Sequence, residues 1–142
     1  MKVKDLMTKQ VIRILPEESV AVAARALAHY NVGVLPVCDE AGSVCGIVTD
    51  RDIVTRCLAA NRVPEDTTVR EIMTNQVLSV EPDMDAGAAA HLMGRQQVRR
   101  LPVVENGGLC GLVSLGDLAN NSSSVYDATD ALSEITGNIS RR

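Results

Sequence analysis

Apolar residues along this chain switch between two spacings, and the same switch occurs twice. Val11, Ile12, Ile14 and Leu15 form a short run closed by Pro16, which predicts a strand over Val11–Leu15. Apolar and alanine positions then recur at helical spacing from Val20 to Tyr30. Ser19 is placed as an N-cap, and Asn31 and Gly33 as stop signals. Two runs rich in valine, Val34–Cys38 and Val44–Val48, flank the turn-forming DEAGS (39–43) and predict a hairpin. Helical spacing returns from about Asp50 to Ala60, so the unit reads β-α-β-β-α.

The unit is then repeated. VKDLMT from Val3 matches VREIMT from Val69, and QVIRILP from Gln10 matches QVLSVEP from Gln76, both at an offset of 66. GIVTDRDI from Gly46 matches GLVSLGDL from Gly111 at an offset of 65, so the second hairpin loop is one residue shorter. The expected organisation is a first repeat over 1–60, a polar linker over 61–68, a second repeat over 69–120, and a loop with a helical tail over 121–142. In that tail Ala128, Ala131, Leu132 and Ile135 keep helical spacing, with Ser124 as cap and Gly137 as stop. About sixty residues bury too little surface to stand alone. The expected fold is therefore α+β, with two repeats packed about a pseudo-twofold axis and a C-terminal helix added.

Composition narrows the function. The 142 residues are 46% hydrophobic but contain no Phe or Trp and only two Tyr, so the core must be aliphatic and alanine-rich. Net charge is −4, with no basic face and few stacking aromatics, which argues against nucleic acid. No apolar run nears the roughly 20 residues that span a bilayer, and the charged start MKVKDLMTKQ is unlike a signal peptide. A cytoplasmic protein with no membrane partner is expected. Cys38, Cys45, Cys57 and Cys110 form no C-x-x-C pair, and His29 and His91 lie far from them, so no metal site is expected. Cys38 and Cys45 flank the hairpin turn, which leaves a redox pairing open beside the reading as small buried apolar residues.

The candidate chemistry lies where each third strand meets its helix. Thr49-x-x-Asp52 and Ser114-x-x-Asp117 are close to a capping box, in which hydroxyl and carboxylate close a helix N-terminus. The same residues suit a ligand. A carboxylate accepts from two vicinal hydroxyls of a ribose, a hydroxyl beside it contacts phosphate, and the helix start favours an anion. Gly116 removes bulk at the second corner. Both readings stand at this point.

The repeat, the D-L-M-T opening, the V-L-P-V strand and the G-h-h-[ST]-x-x-D corner together resemble a pair of CBS domains, the Bateman module, over about residues 3–120. The chain is most similar to stand-alone bacterial members. The resemblance implies two sites for adenosine compounds (AMP, ADP, ATP or S-adenosylmethionine), each shared between repeats. By position, one site would use Thr49, Asp52 and Ile47 with Leu78 and Val98. The other would use Ser114, Asp117 and Leu112 with Ile12 and Val32. Met7 and Met73 would open the first strands nearby. Arg99 and Arg100 stand where the first repeat has Gly33 and Val34, and would give the Asp117 site a phosphate clamp. Arg51 would serve the Asp52 site. The family also implies a homodimer and a regulated partner protein.

Three functions follow. The first is a regulatory module that binds an adenosine ligand and shifts a partner or its own assembly. The second is an enzyme, against which stands the lack of a nucleophile–base pair, paired carboxylates or metal set. The third is a ligand-free interaction scaffold in which both corners are only caps.

Overall fold

The computed structural model describes residues 1–119 together with Leu132 and Ile135. In chain order the elements begin with α1 (Val3–Leu6), α2 (Val20–Tyr30), β1 (Val34–Cys38), β2 (Val44–Thr49) and α3 (Asp50–Asp52). A π-helical segment, Ile53–Leu58, and a 3-10 turn, Pro64–Asp66, come next. The chain continues with α4 (Val69–Ile72), α5 (Ala86–Gln96), β3 (Arg100–Glu105), β4 (Gly108–Ser114) and α6 (Leu115–Ala119). β1 pairs with β2 and β3 with β4, each antiparallel and each with one bulge in the second strand, where Cys45 and Cys110 are the extra residues.

Local chemistry accounts for the two long helices. The Ser19 hydroxyl accepts from Val22 N–H at 3.2 Å and Asp85 accepts from Ala88 N–H at 3.1 Å, each satisfying an amide that the first turn leaves unpaired. Asn31 and Gln97 close them in the left-handed region, at φ 53° and 62°. Gly33 is thus not the stop residue. The second hairpin turns through Asn106 and Gly107, both at positive φ, which is the two-residue turn that matches strand twist.

The compact units cut across the sequence repeats. One comprises residues 12–77, the other residues 1–11 with 78–142. The opening of each repeat therefore folds into the unit that holds the other repeat's hairpin. In the 12–77 unit, Val69 and Arg70 donate backbone N–H to Glu18 and Pro16 at 2.8 and 2.9 Å, and Thr74 and Ile47 exchange two hydrogen bonds at 2.8 and 3.1 Å. In the other unit Val3 and Lys4 donate to Met84 and Pro82 at 2.9 Å each, and Thr8 and Leu112 exchange bonds of 2.8 and 2.9 Å. Packing explains the arrangement. Val69, Ile72 and Met73 complete an aliphatic core with Val20, Leu27, Leu35 and Val48. Val3 does the same with Ala89, Met93, Leu101 and Val113.

Three expectations change. Val11–Leu15 is not a strand but a single parallel bridge from Ile14 to Val37, and Val80 meets Val103 likewise. Ile14 N–H donates to Pro36 at 3.1 Å and Cys38 N–H to Ile14 at 3.0 Å. Extending this ladder either way would need an N–H from Pro16 or from Pro36, which proline lacks. The expected helix from Asp50 is three α residues followed by the π segment, in which Ala59 N–H reaches Val54 at 2.8 Å. Met7 and Met73 do not open strands; they cap α1 and α4. Leu132 and Ile135 are helical and Ile135 is buried, whereas Ser124, Gly137 and the rest of the expected tail helix lie outside the described residues.

Candidate functional site

Each corner is built by a crossing segment, a hairpin and a short helix. A Cβ on Gly46 would lie 2.6 Å from the Thr74 carbonyl and 3.0 Å from Met73 Sδ. One on Gly111 would lie 2.7 Å from the Thr8 carbonyl and 2.8 Å from Met7 Sδ. Only glycine lets the crossing backbone approach β2 and β4 this closely. That contact fixes the strand end, so Ile47 and Leu112 enter each corner from a braced strand.

At the corners themselves both capping boxes are closed. Asp52 Oδ2 accepts from Thr49 N–H at 3.0 Å, and Asp52 N–H donates to Thr49 Oγ1 at 3.0 Å. The Ser114–Asp117 pair repeats this at 2.8 and 3.1 Å. The local reading of the motif is therefore realised, and it uses one oxygen of each carboxylate. Asp52 is only 8% exposed, with Arg56 Nη1 3.8 Å from its other oxygen, Oδ1. Asp117 is half-buried. Each box leaves one carboxylate oxygen unused, with Arg56 beside it at Asp52, and each hydroxyl keeps a hydrogen to donate. α3 runs straight on into the π segment, so the helix start and the side-chain charge both act on an anion at the first corner.

The expected site residues divide between the units. Thr49, Arg51, Asp52, Ile47, Ile12, Val32 and Gly33 belong to one, and Ser114, Asp117, Leu112, Leu78, Val98, Arg99 and Arg100 to the other. The first unit brings Gly33 to its corner, where its carbonyl accepts from Asp50 N–H at 3.2 Å. In the second unit the Arg99 carbonyl accepts from Leu115 N–H at 3.0 Å, and Arg100 pairs across the ladder with Ser114. Arg51, Arg99 and Arg100 are exposed, as are Ile12, Val32 and Leu78, while Val98 packs against its unit's core. A groove of about 340 Å³, lined by Ala24, Leu27, Val32, Asp50, Ile53 and Val54, touches the first corner only through Asp50.

Two residues escaped the sequence reading. Arg56 donates to the carbonyls of Ile72 and Met73 at 3.1 and 3.3 Å and to Thr74 Oγ1 at 3.3 Å, tying the corner to the end of α4. Its spacing of four from Asp52 was the available signal. The signal for Asp50 is the contrast between the copies, since the second has Leu115 in its place. Among the described residues no group of three or more His, Cys, Asp or Glu side chains is placed to hold a metal ion.

The repeated geometry has a counterpart among known families. The CBS-domain family model matches residues 3–59 and again 69–124. The chain belongs to the CBS-domain family. CBS-domain protein YhcV of Bacillus subtilis is 41% identical over 134 residues, covering 94% of each chain. The solved structure of hypoxic response protein I, described with two coordinated zinc ions, superposes with a TM-score of 0.78 at 30% identity, over 85% of this chain and 98% of that one. The CBS pair of protein MJ0100, solved with 5′-methylthioadenosine and S-adenosyl-L-methionine, gives a TM-score of 0.74 at 31% identity, over 84% of this chain and 94% of that one. The protein is thus a tandem CBS pair with the α+β architecture of that family. No helix among the described residues is long and apolar enough to cross a membrane.

Proposed function

We propose that this CBS pair is a cytoplasmic regulatory module, without chemistry of its own, that binds adenosine-containing ligands at the Thr49/Asp52 and Ser114/Asp117 corners. The observation that carries this reading is the same hydroxyl–carboxylate pair braced twice in one geometry, with one carboxylate oxygen left over from each box. Asp52 and Asp117 would accept from the ribose hydroxyls, and Thr49 and Ser114 would donate to a phosphate or equivalent tail. Ile47 and Leu112 would supply apolar contact to the base, joined by Ile12, Val32, Leu78 and Val98. Arg99 and Arg100 would attract phosphate at the second corner, and Arg51 would serve the first. The 5′-methylthioadenosine and S-adenosylmethionine of the MJ0100 pair support this ligand class, with AMP, ADP and ATP in the same class. Binding acts on a partner, or on the chain's own dimer, through preference for one conformation. Exposed Val54 and Leu58, at 54% and 53%, support self-association.

A second reading, a ligand-free scaffold, is favoured by the closed capping boxes, which satisfy the corner amides with no ligand. Thermal unfolding with an adenosine panel separates the two. A ligand at a hundred times its Kd adds about 2.7 kcal/mol to folding and raises Tm by several degrees. If no adenosine compound moves the Tm of folded protein, the sensor reading fails and the scaffold remains.

A further inference from the structure

The two corners share one backbone and carry different charges. Asp50 N–H bonds the Gly33 carbonyl at 3.2 Å, and Leu115 N–H bonds the Arg99 carbonyl at 3.0 Å. These contacts are equivalent, so the side chains at positions 33 and 50 stand where those of 99 and 115 stand in the other unit. The first pair is glycine with a carboxylate; the second is a guanidinium with an aliphatic chain. The next ladder pair continues the contrast, since Val34 faces Thr49 while Arg100 faces Ser114. Arg51 matches Gly116. Thus the first corner presents one acid and one base around its hydroxyl, and the second presents two bases and no added acid. Asp50, Arg51, Arg99 and Arg100 are all exposed.

The position of Asp50 is itself constrained. Its Oδ1 accepts from Arg51 N–H at 2.8 Å, and its Oδ2 lies 3.7 Å from where a Cβ on Gly33 would stand. These two contacts hold the exposed carboxylate over Gly33. Arg56 does not reverse the sign, because its charge is offset by the Asp52 carboxylate, whose Oδ1 lies 3.8 Å from Nη1.

We propose that the two corners select adenosine ligands by the charge of the 5′ tail, the Asp117 corner taking a phosphate-bearing ligand and the Asp52 corner a neutral or cationic one such as a thioether or sulfonium. Asp50 and Arg99 are the residues that set the difference. The inference rests on the adenosine-binding reading above and deepens it. A phosphate at the first corner meets the Asp50 carboxylate, which offsets Arg51, whereas at the second it meets Arg99 and Arg100 with no such offset.

Calorimetric titration of the full chain with AMP and with 5′-methylthioadenosine tests this, at low and at physiological salt. The expected result is two classes of site, one preferring AMP and the other the neutral thioether, each by about tenfold. Asp50→Asn keeps the acceptor for Arg51 N–H and should erase the thioether preference of its class alone. Arg99→Gln should erase the AMP preference of the other class alone. Equal AMP-to-thioether ratios at both classes, or ratios that neither substitution moves, overturn the charge split while leaving adenosine binding intact. Failure of both compounds to bind overturns the split and the adenosine reading together.

Discussion

Gly111→Ala tests the bracing of the corner. The added methyl would lie 2.7 Å from the Thr8 carbonyl oxygen and 2.8 Å from Met7 Sδ. The methionine sulfur belongs to a flexible side chain and can yield. The carbonyl cannot yield cheaply, because Thr8 is bound to Leu112 by two hydrogen bonds of 2.8 and 2.9 Å. If the strand stays, the overpacking costs about 1–3 kcal/mol. If the crossing segment withdraws, two backbone hydrogen bonds are lost at a net ~1 kcal/mol each. Both routes give a destabilisation of about 2 kcal/mol, or roughly 4–8 °C in Tm for a chain of this size. Gly116→Ala is the control. There a Cβ meets only Ser114 Oγ, at 3.5 Å, and alanine is the better helix former by about 1 kcal/mol. Equilibrium urea unfolding of both variants gives the comparison. A Gly111→Ala loss below about 0.5 kcal/mol, or one matched by Gly116→Ala, would refute the bracing.

Asp117→Ala should weaken an adenosine nucleotide by roughly ten- to hundredfold, since hydrogen bonds to a charged group contribute about 1.5–3 kcal/mol, and Asp117→Asn should cost less; unchanged affinity in a folded alanine variant would remove ribose recognition from this residue. Acid stability should depend on Glu71 and Asp83. Hydrogen bonds from Thr68, first from its backbone, hold the Glu71 carboxyl below its usual range, and Lys4 and then Lys2 hold Asp83 low. A depressed carboxyl contributes stability above its unfolded pKa and loses it as pH falls through the folded value. The stability–pH curve of Glu71→Gln or Asp83→Asn should therefore be flatter below about pH 4.5. Chemical denaturation between pH 3 and 7 measures this, and curves parallel to wild type would contradict it.

Much of this was legible in the sequence, for identifiable reasons. The duplication exposed both hairpins and both corners, and Ser19 and Asn31 marked helix ends through local chemistry that needs no tertiary context. The apolar runs overstate the first strands, because apolar spacing does not show which amides can pair. Pro16 and Pro36 already forbade a longer ladder. The four-residue α1 and α4 are too short for a periodic signal, although Thr68 and Glu71 carry a capping-box spacing. The exchange of opening segments between units was hidden, because sequence shows that Val69, Ile72 and Met73 need a core but not whose. At the corners the residue types were readable, but whether each carboxylate spends both oxygens on its own backbone is a matter of distance.

The central claim is that the leftover carboxylate oxygens accept from ligand hydroxyls. Calorimetric titration of the wild-type chain with AMP and with its 2′,3′-dideoxy analogue tests it directly. Deleting the two hydroxyls should weaken binding by about ten- to hundredfold. Equal affinity for the two compounds would leave Asp52 and Asp117 as helix caps alone.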